Sequence, residues 1–200
     1  NSTGGIDNWH SWPPNNLIST AHSAGVEVVL TVTLFNSNAI SSLLSNANYR
    51  QNLITTLVNS VSSAGADGVN IDFEGLPSSQ KENMVQFITD LKAAFDSAIP
   101  ESQVTLATPA VDWSSAWDYD QLAINSDGLM IMAYDYHWTN SPTTGPVSPF
   151  TGWGTYNVTW TVNDYMTWSG GLNDKLILGC PYYGYDWPAE SSSAGANTTG

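Results

Sequence analysis

The chain has 200 residues, 42% of them hydrophobic and nine of them Trp, which is enough apolar volume for one sizeable core without a second domain. Eighteen acidic residues stand against four basic ones (Arg50, Lys81, Lys92 and Lys175), a formal net charge of −14. That sign is wrong for gripping a phosphate backbone or an anionic lipid surface, so the expected partner is a neutral ligand, with no nucleic acid and no membrane.

In chain order, the opening NSTGGIDNW has neither the basic nor the apolar segment of a signal peptide, so a leader has been removed or the chain is an internal piece. No apolar run of about 18 residues is present to span a bilayer. Residues 15–24 form a weak helical pattern, and VEVVLTVTL (26–34) is the first of five short β-branched runs. Leu53, Ile54, Leu57, Val58 and Val61 then share one helical face ahead of Gly65. GVNIDF (68–73) is the second run. The capping box Ser79-Gln-Lys-Glu82 precedes a helix with Met84, Ile88, Leu91 and Phe95 on one face. VTLATPA (104–110) and GLMIMAY (128–134) follow as runs three and four. The stretch from His137 to Gly154, with three Pro, three Gly and two Trp, is a candidate binding loop. A weaker helix at 157–169 leads to the fifth run, KLILGC (175–180), in which the lone Cys180 reads as a small buried hydrophobe. The last residues, 189–200, are nearly all Ala, Ser, Thr and Gly and read as a flexible tail or linker after a domain over 1–188. A chain rich in Asn, Ser and Thr and poor in Lys leans towards an extracellular or cell-envelope location.

Alternating strands and helices imply parallel strands with right-handed crossovers, as in a doubly wound sheet or a (β/α)8 barrel. In both, function gathers at the C-terminal ends of the strands, where the polar residues of these runs sit. A full barrel takes about 250 residues, so a barrel here is expected to be partial.

The stretch GADGVNIDFEG (65–75) holds the strongest chemical signal. Side chains alternate along a strand, so Val69, Ile71 and Phe73 share one face and Asn70, Asp72 and Glu74 the other, with neighbours about 6.6 Å apart along the backbone. A pair of carboxylates so placed can divide acid catalysis, the ionised Asp72 keeping Glu74 protonated by like-charge repulsion. The residues alone leave catalysis, metal binding and ordinary structure open, although His10, His22 and His137 lack ligand spacing and no metal or other cofactor is expected.

Asp67-Gly-Val-Asn70-Ile-Asp72-Phe-Glu74 resembles the D-G-x-D-x-D-x-E signature of family 18 glycoside hydrolases, the chitinase family. Met132-Ala-Tyr134-Asp135 is similar to that family's M-x-Y-D, and Leu178-Gly-Cys-Pro181-Tyr-Tyr-Gly184 to its seventh-strand segment. The resemblance covers residues 17–188 and maps the five runs onto strands three to seven of a (β/α)8 TIM barrel. NIDFEG, MAYDYHW with GPVSP, and PYYGYDW look closest to the spore-cortex and peptidoglycan N-acetylglucosaminidase branch.

What the resemblance implies is hydrolysis of β-1,4 bonds in polysaccharides containing N-acetylglucosamine, with the sugar's own acetamide as nucleophile. Glu74 would be the general acid and base, Asp72 would accept the acetamide N–H, Tyr134 would donate to the acetamide oxygen, and Asp135 would bind and distort the sugar. Met132 would pack beneath, and Asp67 would cap the strand entry. Trp138, Trp187 and Tyr185 are candidates for stacking on sugar rings. The family usually has Asp where this chain has Asn70; an amide cannot ionise, so Asn70 is expected to hold Asp72 as a carboxylate. Two departures are the missing third-strand S-x-G-G, replaced by Thr31-Val-Thr33-Leu-Phe35-Asn36, and the missing eighth-strand Trp. They lead us to expect a fragment of a longer enzyme, completed by further barrel segments outside this chain. The competing expectation is an inert chitinase-like carbohydrate-binding protein, since the same barrel hosts lectins.

Overall fold

All five runs are strands in the computed structural model, which describes residues 1–199. They are β1 (Val29–Leu34), β2 (Gly68–Phe73), β3 (Gln103–Pro109), β4 (Gly128–Met132) and β5 (Leu176–Gly179). They form one parallel sheet in the order β1-β2-β3-β4-β5. A doubly wound sheet reverses its strand order partway; this one advances monotonically, as a barrel wall does. The fold is α/β, five successive strands of a partial (β/α)8 barrel.

The helices are α1 (Leu17–Ser23), α2 (Ser37–Ser45), α3 (Ala47–Ala64), α4 (Lys81–Ala98), α5 (Tyr119–Ile124) and α6 (Val158–Trp168). The Asn46 side chain caps α3, and Gly65 ends it in the left-handed conformation at φ 65°. The capping box at Ser79 does not form. Ser78–Gln80 is a 3-10 turn, which places Gln80 at the N-cap of α4 without a side-chain cap bond.

Alternation along the strands sends one set of side chains to the helices. Val69, Ile71, Phe73, Val104, Leu106, Leu129 and Ile131 meet Leu57, Val61, Met84, Phe87, Leu91 and Phe95, all of them at most 1% exposed. Phe73 stacks on Phe87 with ring centroids 5.9 Å apart. Each such side chain contributes about 1.5–3 kcal/mol by leaving water, so this outer face holds the sheet in place. The other face carries Thr31, Thr33, Asn70, Asp72 and Thr105, brought level by the register Thr31↔Asn70, Thr33↔Asp72 and Asn70↔Thr105.

β1 and β5 are the outer strands of the sheet. Consequently Thr31 and Thr33 stay exposed, as do Ile177 and Leu178. Cys180 is exposed too, contrary to the sequence expectation, because none of the described residues covers it at the end of β5. Residues near the C-terminus lie against the loop from His137 to Gly154: the Thr144 N–H donates to the Ala196 carbonyl (2.9 Å), and the Thr198 N–H and hydroxyl donate to the Pro142 and Ser141 carbonyls (3.0 and 2.8 Å). Among the described residues no helix is long and apolar enough to cross a membrane.

Candidate active site

β2 delivers its polar face to the C-terminal edge of the sheet. Asn70, 6% exposed, accepts a hydrogen bond from the Thr105 hydroxyl at 2.9 Å. Asn70 therefore forms no hydrogen bond to Asp72 among the described residues: Asn70 and Thr105 are register partners, so the amide oxygen is engaged sideways across the sheet. Asp72 is half-buried, and its Oδ1 has no hydrogen-bond partner among the described residues. Burial pushes its carboxyl above the usual carboxylate range. Glu74 lies just past the strand, its N–H bonded to the Leu34 carbonyl (3.1 Å), before Gly75 turns the chain at φ 76°. The Glu74 residue is exposed, yet partial desolvation and then the charges of Asp72 and Asp135 raise its pKa.

β4 supplies the facing wall. Past Met132 the chain tightens, with the Tyr134 N–H bonded to the Met132 carbonyl (2.8 Å) and Asp135 in the left-handed region at φ 59°. The Tyr134 hydroxyl is shifted up by burial first, then by Asp72, Glu74 and Asp135, which places it in the same field as the carboxylates. Tyr134 also needs Gly179 on β5: a Cβ there would sit 2.8 Å from the Ile131 carbonyl oxygen and 3.2 Å from the Tyr134 ring. Asp135 Oδ1 accepts from two hydroxyls, Tyr183 at 2.7 Å and Tyr185 at 2.9 Å. The Tyr183 hydroxyl is raised by burial and by Asp135, and that of Tyr185 mainly by its bond to Asp135.

These edges enclose a cleft of about 550 Å³ that includes Glu74, Met132, Tyr134, Asp135 and Trp138. On its far wall, His137 and Trp153 belong to the loop that the sequence offered for binding, whereas Trp113 and Tyr156 were not singled out. Trp113, 75% exposed, meets Tyr156 edge to face at 4.7 Å, and His137 meets Trp153 at 5.8 Å. The signal for Trp113 was available: like Glu74 and Tyr134 it follows a strand end, in the segment after Pro109, where the Asp112 carboxylate holds the turn by accepting from the Ala116 and Trp117 N–H groups.

Tyr185 and Trp187 line a neighbouring groove of about 480 Å³ together with Tyr183 and Pro146. The Trp187 indole N–H is engaged with the Trp138 carbonyl at 3.0 Å. Asp67 is at the other end of β2. Partial desolvation works against its charge, but the Val28 N–H (2.6 Å) and His22 Nε2 (2.8 Å) outweigh it and hold the carboxyl below its usual value. Among the described residues, no group of three or more His, Cys, Asp or Glu could hold a metal ion.

Strand order and cleft together define the carboxylate-bearing C-terminal edge of a (β/α)8-type barrel. The family model described as "Glycosyl hydrolases family 18" matches residues 9–199, and the chain belongs to that family. It is 30% identical over 163 residues to the putative sporulation-specific glycosylase YdhD of Bacillus subtilis, covering 79% of this chain and 36% of that protein. The crystal structure of YdhD superposes with a TM-score of 0.81 at 27% identity, covering 99% of this chain and 65% of that one. Chitotriosidase-1 of Mus musculus is 30% identical over 190 residues, covering 83% of this chain and 40% of that one. A mutant of catalytic domain 2 of the Ostrinia furnacalis Group II chitinase, solved in complex with (NAG)5, superposes with a TM-score of 0.78 at 25% identity and coverages of 90% and 52%. The chain thus spans 36% to 65% of the length of these relatives.

Proposed function

We propose that this chain carries the catalytic edge of a retaining, cofactor-free glycosidase that cleaves β-1,4 bonds next to N-acetylglucosamine. The observation that carries the reading is Glu74 at the mouth of the cleft, its acid form favoured by desolvation and by the charges of Asp72 and Asp135. An acid must be protonated to donate to the leaving oxygen, and these neighbours extend that condition to higher pH.

Asp72 is the acceptor for the acetamide N–H: its buried Oδ1 has no partner among the described residues, so no hydrogen bond there resists a turn of the carboxylate that brings an oxygen to the acetamide and aligns the acetamide oxygen on the anomeric carbon. The attack forms a bond from that oxygen to the anomeric carbon as the glycosidic oxygen leaves with the Glu74 proton. Glu74, now ionised, takes a proton from water, which opens the oxazolinium ring with overall retention. Tyr134 donates to the acetamide oxygen and Asp135 holds the sugar at the cleavage site, with Trp113, Trp138 and Tyr156 offering ring faces for the polymer.

The substrate class is an N-acetylglucosamine polymer, chitin or peptidoglycan. The bound (NAG)5 of the Ostrinia relative supports the first, and the sporulation role in the name of YdhD the second. Location outside the cell or in its envelope fits either. An inert binding protein is the second reading, favoured by the exposed rings of Trp113 and Trp153 along the cleft, which can hold a sugar polymer whether or not it is cleaved. Hydrolysis of fluorogenic N-acetylglucosamine oligomers decides between them. Activity that disappears in Glu74→Gln supports the enzyme; oligomer binding without turnover in the full-length protein overturns it.

A further inference from the structure

The mechanism above gives Asp135 a sugar to hold but does not explain why two tyrosine hydroxyls converge on one of its oxygens. Tyr183 and Tyr185 both donate to Oδ1, at 2.7 and 2.9 Å, whereas Oδ2 receives none of the hydrogen bonds formed among the described residues. Both donors come from the segment after β5, and Asp135 follows β4, so the clamp ties two adjacent strand ends together. The backbone at Asp135 is left-handed, φ 59°, which fixes where Cβ points, and the clamp then fixes the remaining rotation of the carboxylate. Tyr183 is itself held, packing edge to face against Tyr134 at 6.2 Å and against Tyr185 at 5.6 Å, and Tyr185 packs on Trp187 at 5.8 Å. An aromatic row therefore runs from the acetamide-facing Tyr134 to the edge of the neighbouring groove.

We infer that Tyr183 and Tyr185 are positioning residues for the proposed glycosidase reaction: by occupying Oδ1 they turn Oδ2 of Asp135 towards the sugar hydroxyls at the cleavage site. The inference rests on the glycosidase reading. A carboxylate on a free rotor must be ordered in each catalytic cycle, whereas one held by two donors is aligned before the sugar arrives. Either hydroxyl alone keeps Oδ1 engaged, so the two are partly redundant.

The test is a mutant cycle in the full-length protein, read as kcat and KM on fluorogenic N-acetylglucosamine oligomers. Tyr183→Phe and Tyr185→Phe keep the rings and their packing and should each lower kcat about two- to fivefold. The double variant should lower it by about tenfold to a hundredfold, more than the product of the singles, with KM changed less than about threefold. In an Asp135→Gly background, which removes the acceptor altogether and suits the left-handed backbone, the same double replacement should have little further effect on kcat. A double variant that turns over like the wild type overturns the inference while leaving the glycosidase reading intact. So does an equal loss of kcat in the Asp135→Gly background, which would mark the hydroxyls as merely structural. A full-length wild-type protein that does not hydrolyse the oligomers overturns the glycosidase reading and this inference with it.

Discussion

Asp67 and Asp72 bracket strand β2 and are the same residue in opposite circumstances. At the N-terminal end, Asp67 accepts from the Val28 N–H and from His22, and its carboxyl is held below the usual value. At the C-terminal end, Asp72 Oδ1 has no partner among the described residues, and burial pushes its carboxyl up. A carboxylate that the fold satisfies holds the fold together; one that the fold desolvates and leaves wanting stores a capacity to bind something else. The barrel wall thus has a satisfied end and an unsatisfied end, the latter where the proposed reaction would run, joined by a strand whose other face, Val69, Ile71 and Phe73, is entirely core.

The contrast can be broken by substitution. The largest effect is expected from Glu74→Gln at the unsatisfied end, which should remove at least about a hundredfold of kcat without lowering the melting temperature. Asp72→Asn should lower kcat on the same oligomers about tenfold to a hundredfold and at the same time raise the thermal midpoint at neutral pH slightly. The sign follows from linkage: a carboxyl whose pKa is raised on folding binds protons more readily in the native state, so it costs stability as pH rises through that raised value. Asp67→Ala should do the reverse, costing about 1–2 kcal/mol in urea unfolding at pH 7 while leaving kcat within about twofold. Because the Asp67 pKa is depressed, its contribution is present above the unfolded value and fades as pH falls through the folded one, so wild type and Asp67→Ala should converge in stability at acid pH. The smallest effect belongs to Asn70→Asp, which adds a buried carboxyl beside Asp72. It should move the limbs of the pH–rate profile to higher pH, and superimposable profiles would show that Asn70 serves Thr105 alone.

Much of this was legible because two periodicities govern it. Every β-branched run became a strand, and the two-residue alternation placed Asn70, Asp72 and Glu74 opposite the core face without any coordinates. Helix α2, SNAISSLLS, was missed because four serines obscure an apolar face of Ile40, Leu43 and Leu44 that only packing reveals. The role of Asn70 was misread for a related reason. Sequence shows neighbours along a strand, but its hydrogen bond runs across the sheet to Thr105, and register is not written in one strand alone. Trp187, singled out for stacking, has its indole N–H on the Trp138 carbonyl in the adjoining groove, whereas Trp113, not singled out, stands exposed on the cleft wall.

The left-handed backbone at Asp135 also limits how this site can drift over evolutionary time. Asn, Asp and Gly occupy that conformation at low cost, whereas β-branched and bulky side chains do not. A lineage that loses the carboxylate here is channelled towards Asn or Gly. Asn keeps a hydrogen-bonding oxygen for Tyr183 and Tyr185, so a single substitution can remove the charge while the clamp and the cleft keep their shape.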